Sequence, residues 1–178
     1  MINNFGGIIK LNRIQQGLTL DYISYKTGIS KSQISRIERN KEQITFENVS
    51  KIFSVMKIEV SNDNFDAQFE KDFQAFYSDV VYVKDFENSY KVIKGYSDKI
   101  KSSLSYIKYL LSELIYMIMK GYSQKIEDYL FIENYFAYLE SYQIQLFYDY
   151  LGVISYNNKD YRDELKFSNE AFSYRGND

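Results

Sequence analysis

Apolar residues recur at intervals of three and four along most of this chain, which is the spacing of one face of an α-helix. One such run comprises Ile100, Leu104, Ile107, Leu111, Leu114 and Ile118. Another run comprises Phe65, Phe69, Phe73, Phe76 and Val80. Proline, the strongest helix breaker, is absent, and no segment shows the alternating pattern of a strand. The sequence therefore predicts an all-α fold.

The composition argues against most classes of enzyme. The 178 residues include no cysteine and no histidine, which removes disulfides, thiolate metal sites and the commonest general base. No metal cluster, phosphate loop or catalytic triad can be recognised, so we expect no enzymatic activity, no metal and no cofactor. The chain has no run of about 18 apolar residues and no secretory signal, which predicts a cytoplasmic protein without a membrane segment.

Charged and aromatic residues are distributed unevenly. Residues 1–61 contain nine lysines and arginines against five acidic residues, whereas residues 62–178 contain thirteen against nineteen. Of the 19 tyrosines and 13 phenylalanines, only five lie in the first part. The contrast predicts two domains, 1–61 and 62–178, joined near Glu59–Asn64, of which only the first has the charge to bind a polyanion.

Capping signals divide the first domain into short helices. The first is expected over Phe5–Gln16 and ends at Gly17, and the second begins after the N-cap Thr19 and ends at Gly28. The apolar positions expected to face the core in these two helices are Ile8, Ile9, Leu11, Ile14, Leu20, Tyr22 and Ile23.

A third helix should begin after Ser30, which forms a capping box with Gln33. A fourth should begin after Thr45. The apolar residues expected to be buried here are Ile29, Ile34, Ile37, Phe46, Val49, Ile52 and Phe53. The polar residues of the third helix, which should then point outward, are Lys31, Ser32, Ser35, Arg36 and Arg39.

Two helices joined by a tight glycine-containing turn can place the second helix in the major groove of DNA. The segments RIQQGL, TGIS and ISRIERNK, in this order, resemble the Cro and phage-repressor (XRE) helix-turn-helix family over residues 5–60. The resemblance implies a domain of four to five helices that binds double-stranded operator DNA. A small helical scaffold that does not bind DNA remains the alternative.

The resemblance also implies roles for individual residues. The expected base contacts are Lys31, Ser32, Gln33 and Arg36, with Ser35 as a weaker candidate. The expected contacts to the DNA backbone are Thr19, Arg39, Asn40 and Lys41. Arg13 and Glu38 correspond to a structural ion pair of the family. Leu20 stands where many relatives carry a glutamine that touches the DNA backbone, so we expect one phosphate contact to be missing.

Residues 62–178 are expected to form helical hairpins, with helices near 85–96, 124–139, 142–157 and 160–174 and a helix end at Gly121. The segment Tyr148–Phe172 resembles a tetratricopeptide (TPR) pair, although a generic helical hairpin would show the same pattern. In that resemblance Gly152 and Ala171 let the two helices approach. The apolar positions of the last helix, which follows the N-cap Asp160, are Tyr161, Leu165, Phe167, Ala171 and Phe172.

An XRE-like domain followed by TPR-like helices resembles the RRNPP class of bacterial regulators, which includes the Rgg- and PlcR-like receptors. The resemblance implies a homodimeric transcription factor that responds to a short signalling peptide, with no peptide-binding residue assigned. Three alternatives stay open. The chain could be a phage-type repressor without a ligand, an antitoxin with an autoregulatory DNA-binding domain, or an enzyme that uses carboxylates of its helical part.

Overall fold

The computed structural model describes residues 5–60, 65–82, 84–122 and 125–175. Within these ranges the chain forms nine α-helices and no strand, which confirms the all-α prediction. The helices are α1 (Phe5–Gln15), α2 (Leu20–Thr27), α3 (Lys31–Glu38), α4 (Phe46–Val55), α5 (Phe65–Val81), α6 (Phe86–Lys94), α7 (Tyr106–Met119), α8 (Ser141–Asn157) and α9 (Tyr161–Ser173). Short 3-10 segments cover Ile100–Ser102, Ile126–Asp128 and Leu130–Tyr138. None of the described helices has the length and apolar character needed to cross a membrane.

The contacts of the backbone divide the chain into two compact units. The first contains the residues up to Gln74 together with Lys91–Tyr106, and the second contains Ala75–Tyr90 and the residues from Ile107 onward. Helices α5 and α6 therefore each contribute residues to both units. The domain boundary predicted between residues 61 and 62 falls outside the described residues and stays a prediction.

Helices α2, α3 and α4 begin at the predicted caps Thr19, Ser30 and Thr45, and α1 and α2 end at the predicted glycines. The hydroxyl of Thr19 accepts a hydrogen bond from the Tyr22 amide, and that of Ser30 accepts one from the Gln33 amide. Gly17 and Gly28 take left-handed conformations, with φ of 65° and 73°, which only glycine adopts at no steric cost. Local chemistry thus sets the end of α1, both ends of α2 and the starts of α3 and α4.

Isoleucine side chains form most of the core between these helices. Helices α1 and α2 both pack against α3 and α4. The residues at this core with at most 1% of their surface exposed are Ile8, Ile9, Ile23, Ile34, Ile37, Val49, Ile52 and Phe53. Ile29 and Leu11 are buried as well.

Three residues expected in this core are exposed instead, namely Ile14 (53%), Tyr22 (44%) and Phe46 (59%). In α1 the buried face continues through Asn12, and Ile14 lies about 200° further around the helix axis. Phe46 opens the first turn of α4, and Val49 fills the core three residues later. The helical period was right, but it does not specify which edge of each apolar face remains in contact with solvent.

Asn12 is buried in the first unit, where its side chain forms two hydrogen bonds. The residue is 2% exposed, and its side-chain amide donates to the carbonyls of Ile8 and Lys101, at 2.9 and 2.7 Å. The Ser102 hydroxyl donates to the Glu59 carbonyl at 2.8 Å. The 3-10 segment Ile100–Ser102 therefore packs against α1 and extends the first unit beyond its four short helices.

The apolar run from Ile100 to Ile118 predicts one helix, but the structure interrupts it before α7. Ser103 adopts an extended conformation, and Asp66 accepts hydrogen bonds from the hydroxyls of Ser103 and Ser105 and from the Ser105 amide. Serine side chains compete with the backbone for hydrogen bonds and so favour helix ends. The single-helix expectation was wrong because these bonds replace a helical turn.

In the second unit, α8 and α9 pack as a hairpin in which Asp160 caps α9. The Cβ of an alanine at Gly152 would meet its nearest atoms at 3.6 Å, which is ordinary contact. Close approach of α9 therefore does not require this glycine. The residues of α9 expected at apolar positions differ sharply in exposure: Phe167 and Ala171 are buried, whereas Tyr161, Leu165 and Phe172 are 60–71% exposed.

The helix expected over 124–139 is replaced by 3-10 structure. Tyr135 has non-helical angles, with φ of −123° and ψ of 15°, inside the segment Leu130–Tyr138. Its neighbour Phe136 makes edge contacts with Phe147 and Tyr148 of α8, each with 5.6 Å between ring centroids. Packing of the large rings outweighs the weak helix preference of this aromatic-rich stretch.

Helix α1 crosses α3 at Gly6. The Gly6 amide donates to the side-chain oxygen of Asn40 at 3.2 Å, and Asn40 itself has a positive φ of 53°. A Cβ on Gly6 would lie 2.6 Å from that oxygen and well inside contact distance of the Ile37 carbonyl. Glycine is therefore required here to let α1 approach the end of α3.

We predict that Gly6→Ala lowers the free energy of unfolding by about 1–3 kcal/mol, the usual cost of overpacking a tight contact. Urea unfolding followed by circular dichroism measures the change. Gly152→Ala is the matched control, because its new methyl fits and alanine favours a helix. Equal stability of Gly6→Ala and the wild type would contradict the close approach of α1.

Candidate nucleic-acid interface

Helix α3 is amphipathic, and its polar side faces solvent. Ile34 and Ile37 are buried beneath it, so the helical period turns the intervening polar residues outward. Lys31, Ser32 and Arg36 are exposed, and Gln33 and Ser35 are half-buried. The structure thus places all of the predicted base-contacting residues away from the buried face of α3.

A shallow groove runs along this surface between the start of α2 and α3. Its volume is about 610 Å³, and it is lined by Leu20, Lys31, Ser32, Ser35, Arg36 and Arg39. Three of the six lining residues carry a positive charge. Leu20 stands where the XRE resemblance leads one to expect a glutamine. It gives the groove an apolar edge, because its side chain cannot form a hydrogen bond.

The cations of this surface form local contacts in the structure. Lys31 Nζ lies 2.8 Å from Asp21 Oδ2, with both side chains more than half exposed. Arg39 donates to the carbonyl and the hydroxyl of Ser35, at 3.0 and 3.2 Å. Exposed ion pairs contribute about 0–1 kcal/mol, so a polyanion can replace such partners at little cost.

Glu42, in the turn after α3, was not identified from the sequence. Its Oε1 accepts from the Gln33 side-chain amide at 2.8 Å, and its Oε2 accepts from Arg36 Nε at 2.7 Å. The hydrogen bond from Arg36 and then that from Gln33 hold the pKa of the Glu42 carboxyl below its usual range. The Gln33 side chain bonds here rather than completing the predicted capping box. Helical periodicity could not identify Glu42, because Glu42 lies beyond the end of α3.

The four residues predicted to contact the DNA backbone lie at the ends of α2 and α3. The Thr19 side chain caps α2, and that of Asn40 accepts the Gly6 amide. Arg39 and Lys41 are exposed beside the end of α3. Arg39 lines the groove, and Thr19 directly precedes Leu20, which lines it as well. Their contacts to DNA remain predictions.

Arg13 and Glu38 lie together beneath the surface rather than on it. Arg13 Nε is 2.6 Å from Glu38 Oε1, and Arg13 Nη2 is 2.8 Å from Oε2. Arg13 also donates to the Leu18 carbonyl at 2.9 Å. The two side chains are only 14% and 5% exposed. This bidentate pair joins α1 to the end of α3.

Part of the chain matches a known protein family. Residues 9–61 match a family model described as helix-turn-helix. The match supports the XRE interpretation of this segment and a DNA-binding regulator. No curated protein and no solved structure matches the chain. Among the described residues, no group of three or more acidic side chains has a geometry that could hold a metal ion.

We predict that Arg13→Ala lowers the free energy of unfolding by about 3 kcal/mol, because it leaves the buried carboxylate of Glu38 without its charged partner. The midpoint of urea unfolding measures this loss. The control is Lys51→Ala, which removes a cation 2.6 Å from Glu47 in an exposed pair and should cost less than about 1 kcal/mol. Similar costs for both variants would refute a structural role for the Arg13–Glu38 pair.

Proposed function

We propose that this chain is a cytoplasmic, non-enzymatic transcription regulator that binds operator DNA as a homodimer and inserts α3 into the major groove. The observation that carries this proposal is the capped, amphipathic α3, whose cationic face borders a groove within the segment that matches the helix-turn-helix model. The positive balance of charge in residues 1–61 favours contact with a polyanion.

The side chains on α3 suit the reading of base edges. Lys31 and Arg36 are donors that match the two acceptors of guanine in the major groove, and Gln33 can pair with adenine. Ser32 can accept or donate. Arg39, which lines the groove, and Lys41, which is exposed after the end of α3, suit contacts to phosphates, which position a protein without specifying sequence.

The proposal of a dimer is supported by the exposed apolar face of α9. Tyr161, Leu165 and Phe172 lie on one side of this helix, since their spacings of four and seven residues match its period. They are 60%, 61% and 71% exposed. A second copy of the chain would cover this face, and a two-fold dimer would then read two half-sites about 34 Å apart.

A response to a short signalling peptide is the finer proposal, and it rests on the RRNPP resemblance of the sequence. The alternatives are a repressor without a ligand and an antitoxin whose second part binds a toxin. Anisotropy titrations with and without the peptide-sized culture fraction of the source organism separate them. A shifted midpoint favours the receptor, whereas an unchanged midpoint favours one of the alternatives.

We predict that Arg36→Ala lowers the affinity for labelled DNA from the gene's own upstream region by about 1–3 kcal/mol and relaxes the preference at one base position. Lys41→Ala should instead weaken all sequences alike and flatten the salt dependence by about one unit. Fluorescence anisotropy on this duplex and on a shuffled one measures both effects. If Arg36→Ala changed neither affinity nor preference, α3 would not be the reading helix.

We predict that Leu165→Glu converts a dimer into a monomer, because it places a charge at the centre of the apolar face of α9. Light scattering coupled to size exclusion measures the mass. The control is Tyr25→Glu, which changes a residue of α2 that is 83% exposed. A mass equal to that of the wild type for Leu165→Glu, in a folded protein, would exclude this face from the dimer.

A further inference from the structure

Glu42 uses both of its carboxylate oxygens on the surface that we assign to DNA. One oxygen accepts from Gln33 and the other from Arg36, so a single residue outside α3 joins two residues of that helix. The Glu42 side chain is 27% exposed and that of Arg36 is 49% exposed. Glu42 therefore lies beside two of the residues expected to contact bases, and it is more buried than Arg36.

The bonds to Glu42 leave the recognition groups of both residues available. Arg36 donates through Nε, which is one of five N–H donors of an arginine, and the other four lie on its terminal nitrogens. Those terminal donors form the fork that pairs with guanine. Gln33 donates one of its two amide N–H groups to Glu42, so its second N–H and its amide oxygen can still pair with a base. A carboxylate in this place orients both side chains and leaves enough of their donors and acceptors for a base contact.

A fixed orientation matters because both side chains are long. Arginine and glutamine both lose considerable rotamer entropy when they are ordered, and a side chain that is held in position in advance loses less of it on binding. An unrestrained guanidinium can also swing to a phosphate, a contact that carries no sequence information. The negative charge of Glu42 adds a second effect, since it repels the DNA backbone whatever its sequence.

On the basis of the proposed function, we propose that Glu42 is a positioning residue that sets sequence specificity. It holds the Arg36 guanidinium and the Gln33 amide side by side toward base edges, and it weakens binding to DNA of unselected sequence. Glu42 acts through its two partners. Its removal should therefore lower the ratio of specific to unspecific affinity rather than abolish binding.

The contrary view is that Glu42 only competes with DNA for Arg36. In that case its removal would tighten binding to every duplex in parallel and would leave the ratio unchanged. The Arg36 preference at its base position would also persist. The two views thus predict different ratios, even though both predict tighter binding to unselected DNA.

The experiment begins with selection from a random duplex library by the full-length wild-type chain, followed by sequencing. Anisotropy on the selected duplex and on a shuffled duplex then gives the specificity ratio for the wild type, Glu42→Gln and Glu47→Gln. Glu47 is a matched control because it also forms an ion pair, with Lys51 at 2.6 Å, and the same charge is removed. We expect Glu42→Gln to lower the ratio about tenfold, the order of one lost base contact, and Glu47→Gln to leave it unchanged.

The selection is repeated with Glu42→Gln, with Arg36→Ala and with the double variant. We expect Glu42→Gln to lose preference at the same base position as Arg36→Ala, and the double variant to lose no more there than Arg36→Ala alone. A purely structural role would not move the preference at one position. A thermal melt of each variant confirms that it is folded.

The outcomes separate the two proposals. If the wild type selects no sequence over the shuffled duplex, the proposed function fails and this inference fails with it. If the wild type selects a sequence but Glu42→Gln keeps both its ratio and its base preferences, the proposed function stands and the role of Glu42 is overturned. Parallel tightening on both duplexes would likewise overturn it, in favour of simple competition.

Discussion

The packing of α3 is the constraint on which the proposed interface depends. This helix has eight residues, and an isolated helix of that length is not stable in water. Its form therefore comes from burial of Ile34 and Ile37 against α1 and α2 and from the Ser30 cap at its start. The Arg13–Glu38 pair and the close approach at Gly6 hold its far end. Residues that never face DNA thus determine where Lys31 and Arg36 are presented.

The residues of α3 that stabilise the fold and those expected to contact DNA lie on opposite faces of the helix. The inward face consists of isoleucines that pack fully, and the outward face carries polar side chains with short local contacts. Such contacts are weak in water. They order the side chains on this face, and a polyanion can still replace them. Glu42 is the exception to this separation, because its two hydrogen bonds arrange Gln33 and Arg36 relative to each other. In the second unit, the aromatic residues mostly pack together, as Phe136 does with Phe147 and Tyr148.

Expectations from the sequence failed where a side chain contacts residues from another part of the chain. The serines before α7 interrupt an apolar run that looks continuous, since Asp66 accepts their hydrogen bonds. The stretch around Tyr135 forms 3-10 structure because its rings pack on α8. Ile14 is exposed, whereas Asn12 is buried and donates to the carbonyl of Lys101, 89 residues later in the chain. None of these outcomes can be derived from local periodicity, because each depends on a partner distant in sequence.

The sequence by itself determined the all-α class, the starts of α2, α3 and α4, the ends of α1 and α2, and the outward set of residues on α3. Caps, glycines and helical period act over a few residues, so their consequences can be read locally. Tertiary structure alone decided that Glu42 bonds to Gln33 and Arg36, that Gly6 must lack a side chain and that Leu165 faces solvent. These features depend on the positions of α1, of α9 and of the turn that follows α3. Only the packing of whole helices sets those positions.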